Sequence, residues 1–201
     1  MVRVGILGGT FDPIHLGHLV AAEEVRWKLS LETVLFVPAA NPPHKRGRAI
    51  SPAADRVRMV EMAIGSNPFF ELSTMEIGRG GVSYTVDTLR TLRERMGYEA
   101  ELFFIVGMDS LADLTTWKQP ATILSLCRLA VVNRPPYEEV DLASLEERLP
   151  GVSSRVDMVR MPGIYISSTD LQARVRRGLP IKYQVPDPVE RYILDRGLYK
   201  R

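Results

Sequence analysis

The chain has 201 residues, 45% of them hydrophobic and 25% charged, which suits one globular domain spanning 1–201 with a full core. A formal net charge of +2, with no run of five like charges, argues against nucleic acid as a partner; basic residues do gather near Arg174, Arg176, Arg177 and Lys182, as on a solvated helix face. A single cysteine, Cys127 in an apolar stretch, rules out an internal disulfide and reads as a buried structural thiol, while the lack of a long apolar span or secretory leader points to a cytoplasmic protein with no membrane partner.

The first element is the apolar run Val2 to Leu7, of strand length, which breaks into Gly8-Gly9-Thr10-Phe11-Asp12-Pro13-Ile14-His15-Leu16-Gly17-His18 before the chain turns helical. Paired glycines let backbone N–H groups approach an anion, and a helix N-terminus adds orphan donors and a positive dipole end, so phosphate is the expected guest. His15 and His18 stand three apart, on one side of a helix or its first turn, where both imidazoles can meet one phosphate. Gly5-Ile6-Leu7-Gly8-Gly9 fits neither the dinucleotide fingerprint nor the P-loop, so hydride transfer and P-loop phosphoryl transfer lose support. A zinc site built on Asp12, His15 and His18 is disfavoured because no further ligand stands nearby, and no protein metal site is expected.

Leu19 to Leu29 has helical spacing, with Trp27 read as packing, and Thr33 to Val37 reads as a buried second strand stopped by Pro38. The loop Ala39-Ala40-Asn41-Pro42-Pro43-His44-Lys45 follows at the strand's carboxyl end, where open parallel sheets bind ligands, and Lys45 could bring a point charge to a phosphate. Ser51-Pro52 reads as an N-cap and first helical position for a helix through Ile64, with Asp55 and Arg58 an exposed pair. Phe69 to Met75 is a third strand, and a helix ending near Met96 follows Gly80-Gly81-Val82-Ser83-Tyr84-Thr85, with Ser83 or Thr85 suited to cap it.

Glu101 to Val106 is the fourth strand; Asp109, just past its end, suits either a ribose contact or a helix cap. Trp117, flanked by polar residues, could form an aromatic plate for a flat ring. Arg128 to Asn133 is the fifth strand, and Arg134 at its rim has the planar fork that bridges phosphate oxygens. Tyr137 to Leu149 holds a short helix, and Val156 to Val159 a sixth strand. Ile166-Ser167-Ser168-Thr169 opens a further helix, another anion site by its hydroxyls and N–H groups; Thr169 and Gln172 have the spacing of a capping box. A closing helix from Pro188 to Arg196 and the tail Gly197-Leu198-Tyr199 read as structural.

The segment Gly8 to His18, with its His-x-Gly-His signature, resembles the nucleotidyltransferases that join a nucleotide's α-phosphate to a phosphorylated acceptor, and most closely the bacterial nicotinate-nucleotide adenylyltransferases. The likeness runs nearly end to end, and Ile166-Ser167-Ser168-Thr169 is similar to the second signature of that family. It implies an α/β fold: an open, mostly parallel, Rossmann-like sheet with helices on both faces. It implies transfer of an adenylyl group from ATP, with Mg2+, to nicotinate mononucleotide. It implies His15 and His18 as catalytic donors, and Gly8, Gly9, Thr10, Phe11, Asp109, Arg134, Ile166, Ser167, Ser168 and Thr169 as ATP contacts. It also implies Asn41, Lys45, Ser83, Tyr84, Thr85 and Trp117 around the acceptor, with the Ser-Tyr-Thr segment taking the ring's carboxyl largely through backbone N–H groups. One departure stands out: Gln172 lies where the family usually has an arginine, and Arg174, Arg176 or Arg177 are candidates to replace the charge. Another acceptor on the same scaffold, such as phosphopantetheine or nicotinamide mononucleotide, and a non-catalytic nucleotide sensor are the rival readings. The sequence leaves a homo-oligomer open.

Overall fold

The structure, a computed structural model, describes residues 2–42, 50–133 and 140–200. Among them six strands form one sheet: β1 (Arg3–Gly9), β2 (Thr33–Pro38), β3 (Phe70–Leu72), β4 (Glu101–Gly107), β5 (Arg128–Val132) and β6 (Val156–Val159). Their order is β3-β2-β1-β4-β5-β6, and every neighbouring pair is parallel. The chain therefore winds outward in one direction from β1, returns, and winds in the other from β4. Such a reversal leaves a crevice beyond the carboxyl ends of β1 and β4.

Strands buried on both faces read as continuous apolar runs, and alternate residues serve opposite layers. In β4, Leu102, Phe104 and Val106 face one core while Phe103 and Ile105 face the other; in β2, Leu35 and Val37 separate from Val34 and Phe36 in the same way. The first layer is covered by α4 (Thr85–Met96), α5 (Met108–Ala112), α6 (Pro120–Leu126) and α7 (Leu142–Arg148), through residues such as Leu89, Leu111, Ile123 and Leu145. The second is covered by α1 (Leu16–Lys28), α2 (Ala53–Ile64), α8 (Ser168–Arg176) and α9 (Asp187–Asp195), through Ala22, Met59, Leu171 and Ile193. Cys127 belongs to the first layer, and burial pushes its thiol up to about 12.

Several expectations change. The first strand runs on through both glycines, whose backbones pair with Val37 and Pro38, and α1 begins at Leu16 rather than Leu19. The third strand ends at Leu72, and a short helix, α3 (Met75–Arg79), takes up the chain. Trp27 is not packed but 75% exposed, because α1 turns that position away from the core. Ser51 does not cap α2: its backbone N–H donates to Asp12 Oδ2 at 3.1 Å, and the N-cap is Pro52. Asp55 and Arg58 are not a pair, since Asp55 is buried against the Tyr192 hydroxyl (2.7 Å) and Arg58 faces Glu61. Neither Ser83 nor Thr85 caps α4; its N-cap is Tyr84, without a side-chain bond. The expected box between Thr169 and Gln172 is absent too, as Ser167 caps α8 by accepting from the Asp170 N–H at 3.0 Å.

Candidate active site

A cleft of about 490 Å3 opens where the strand order reverses, between Leu7, Gly8 and Gly9 of β1 and Phe104 to Gly107 of β4. The N-terminus of α1 supplies its floor. His15 is the N-cap, in extended backbone conformation, and 96% of its surface is buried by the fold, its relative exposure being 4%. The two imidazoles stack, with centroids 3.7 Å apart and planes inclined by 23°, and both line the cleft. The His15 backbone N–H donates to His18 Nδ1 at 3.2 Å. A ring nitrogen that accepts carries no proton, so this bond places the proton of neutral His18 on Nε2. Phe11 meets His18 edge-on, at 5.1 Å between centroids and 79°. It is buried at 1% exposure and so works from beneath the cleft rather than in its wall.

The glycine between the histidines has a steric cause. A Cβ on Gly17 would lie 3.1 Å from His15 Cε1 and Nδ1, tighter than ordinary contact, so any side chain there would push the imidazole aside. At β4 the Asp109 carboxylate folds back over Gly107 so closely that a Cβ would collide with Oδ1. Asp109 lies in the first turn of α5 and lines the cleft without capping the helix, whose N-cap is Gly107.

A second part of the cleft is assembled from two loops. Ser83 Oγ accepts from the Ala40 N–H (2.9 Å), the Ser83 N–H donates to the Asn41 carbonyl (3.0 Å), and Asn41 Nδ2 donates to the Gly81 carbonyl (3.0 Å). Asn41 and Ser83 thus brace the loop after β2 against the segment that leads into α4. Tyr84, Thr85 and Trp117 line the cleft, and Trp117 stands edge-on to Phe104 with centroids 6.1 Å apart. Thr85 opens α4, so its neighbouring N–H groups and the dipole end favour an anion there.

Of the residues expected near ATP, Gly8, Gly9, Thr10, His15, His18, Asp109 and Ile166 share the cleft. Ser167 and Ser168 are engaged in holding α8, the latter by donating to the Pro13 carbonyl at 2.9 Å; Thr169 is exposed beside them. Lys45, with its neighbour His44, and Arg134 lie outside the described residues. Gln172 donates to the Asp12 carbonyl at 2.7 Å and so ties α8 to the glycine loop. Arg174 donates to the Pro180 carbonyl, and neither it nor Arg176 nor Arg177 lines the cleft.

Sequence reasoning passed over Arg56. On α2 it shares a side with Met59 and Val60, and it is 1% exposed. It donates to the carbonyls of Thr10 (2.8 Å), Ser51 (3.1 Å) and Ala40 (3.4 Å), which joins the loops after β1 and β2. Burial lowers its pKa from the ordinary value, and the charge of Asp12 acts against that. Asp12, also buried, accepts from the Tyr199 hydroxyl at 2.6 Å as well as from Ser51. A charged residue on an apolar helical stripe was the available signal. Glu76 was passed over too: buried on α3, it lines the cleft while accepting from the Thr88 hydroxyl at 2.5 Å.

The strand order, the cleft at its reversal and the imidazole pair on a helix N-terminus define a nucleotide-binding α/β protein. The chain belongs to the cytidylyltransferase-like family, whose model matches residues 6–174. It is 46% identical to a protein of Moorella thermoacetica and 48% identical to one of Thermomicrobium roseum, each named "Probable nicotinate-nucleotide adenylyltransferase". These alignments cover 98% and 100% of the chain and 92% of each relative. Its fold is shared by the Plasmodium falciparum nicotinic acid mononucleotide adenylyltransferase complexed with NaAD, with a TM-score of 0.82, 18% identity and coverage of 100% and 98% of the two chains.

Proposed function

We propose that this protein is a nicotinate-nucleotide adenylyltransferase, joining ATP and nicotinate mononucleotide to give nicotinate adenine dinucleotide and pyrophosphate in the biosynthesis of NAD. The observation that carries the reading is the stacked His15–His18 pair on the N-terminus of α1, at one end of a cleft whose other wall holds Trp117 and the start of α4. The full-length likeness to nicotinate-nucleotide adenylyltransferases supports the choice of acceptor.

The acceptor's 5′-phosphate is already an anion at neutral pH, so no strong base is needed. One of its oxygens attacks the α-phosphorus of ATP in line; the new P–O bond forms as the α–β bridging bond breaks, and pyrophosphate leaves with the electron pair. Catalysis then rests on positioning and on donors aimed at the charge that builds on phosphorus and leaving group. His18 Nε2–H, His15 and the N–H groups of the α1 terminus are those donors. The glycine loop admits the phosphates, Asp109 takes ribose hydroxyls, and Trp117 stacks on the pyridine ring. Among the described residues no three His, Cys, Asp or Glu side chains converge on a metal position. Magnesium, which would be held chiefly by triphosphate oxygens and water rather than by side chains of this protein, would supply charge neutralisation.

Pyrophosphate release from purified protein with magnesium, ATP and either nicotinate or nicotinamide mononucleotide tests the reading. Release is expected with the nicotinate acceptor, weaker release with the amide, and loss in His18→Ala. No release with either acceptor would overturn the assignment of substrate.

A further inference from the structure

The groups so far placed around the acceptor's ring carry no formal charge: Tyr84, Thr85, Trp117 and backbone N–H groups. Those N–H groups and the dipole end of α4 already favour a carboxylate, but they carry only partial charge, so a formal cation nearby adds to the discrimination between two acceptors that differ mainly in charge. Among the described residues lining the cleft there is one lysine or arginine, Lys118. It follows Trp117, and its Nζ lies 4.3 Å from the centre of the Tyr84 ring, close enough for cation–π attraction. The same Nζ donates to Asp87 Oδ2 at 3.1 Å from the first turn of α4. An ammonium has three donors, so this bond and the ring face fix the group without exhausting it.

The local charge balance favours an anion. Asp87 is shared, since Arg90 Nη1 lies 3.6 Å from its other oxygen while Arg90 also donates to Gln119. One carboxylate thus stands between two cations at the N-terminus of α4, which is itself positive. Two further carboxylates line the cleft: Glu76 accepts from Thr88, to which Arg79 also donates at 3.3 Å, and Asp109 lies over Gly107 at the end of β4.

We infer that Lys118 is a specificity-determining residue of this cleft: its ammonium, set by Asp87 and the face of Tyr84, favours an acceptor whose ring bears a carboxylate over one whose ring bears a carboxamide. This rests on the function proposed above. The lysine side chain is 40% exposed, so water and salt weaken the effect, and a preference of roughly twofold to fivefold is the scale of such a charge contact.

The test compares kcat/KM for nicotinate and nicotinamide mononucleotide in the wild type, Lys118→Met and Lys118→Arg, at low and high salt. The ratio of the two values is expected to fall roughly twofold to fivefold in K118M, with the loss in KM for the carboxylate acceptor. K118R is expected to keep most of the preference, and high salt to shrink it in the wild type. An unchanged ratio in K118M overturns the inference alone, and so does an equal loss with both acceptors, which would put the charge on their common phosphate. A wild-type protein that turns over neither acceptor overturns the proposed function and this inference together.

Discussion

The bond from the His15 backbone to His18 Nδ1 links the folding of α1 to its chemistry. The helix needs an acceptor for an orphan N–H, and by supplying it His18 fixes its own tautomer and aims its remaining N–H along the helix start. Removing that side chain should cost both catalysis and stability. His18→Ala is expected to lower kcat by about a hundredfold to a thousandfold, the scale of a lost oxyanion donor, and the lost cap to lower stability by about 0.5–2 kcal/mol. Gly17→Ala tests the packing beneath it. The added methyl meets the His15 ring at 3.1 Å, so kcat should fall while ATP still binds, as steady-state kinetics and calorimetric titration would show.

At the scale of elements, the cleft is held open by a buried polar tie rather than by apolar packing. Arg56 reaches the loops after β1 and β2, Asp12 reaches Ser51 and Tyr199, and Gln172 reaches Asp12 from α8. Breaking such a tie leaves buried carbonyls, or one oxygen of the Asp12 carboxylate, without a partner. Arg56→Met is expected to destabilise the fold by about 2–4 kcal/mol and Tyr199→Phe by about 1–2 kcal/mol. Their double variant should lose less than the sum, because Asp12 is common to both; urea unfolding midpoints would show it.

This layer was hard to read in the sequence. Strand and helix periods place β2, β4, β5, β6 and α4 to within a residue or so, since those runs are apolar on both faces or plainly amphipathic. Thr169 failed as a cap because Ser167, two residues earlier, already holds that place on α8, and Ser51 failed because a long-range partner, Asp12, takes its backbone N–H. Arg56 stayed hidden for the same reason: its acceptors are backbone carbonyls of distant loops, which no side-chain pattern announces. Lys118 depends likewise on α4 and the Trp117 segment being folded together. The paired glycines and the histidines were legible because their chemistry lies within one continuous segment.

For the whole molecule, two parallel-sheet cores bury groups that resist ionisation, and stability should carry that signature. The Cys127 thiol, whose ordinary value is 9.0, is pushed up to about 12 by burial. Tyr199 is also raised, chiefly by burial and then by the charge of Asp12. In both, the unfolded chain ionises first, so it binds fewer protons than the folded one and stability falls as pH rises past about 9. The slope from Cys127 is at most about 1.4 kcal/mol per pH unit, and Cys127→Ala should flatten the decline between pH 9 and about 12 in denaturant titrations. Below pH 9 the same substitution should leave the pH dependence unaltered.

The proposed reaction puts the bond change at the α-phosphorus, and that can be followed atom by atom. ATP labelled with radioactive phosphorus at either the α or the γ position, incubated with the protein, magnesium and nicotinate mononucleotide, distinguishes adenylyl transfer from phosphoryl transfer. The account predicts α label in a dinucleotide product and γ label in pyrophosphate, both abolished in His18→Ala. Transfer of the γ label to the acceptor, or α label that leaves as free AMP with the acceptor unchanged, would contradict it.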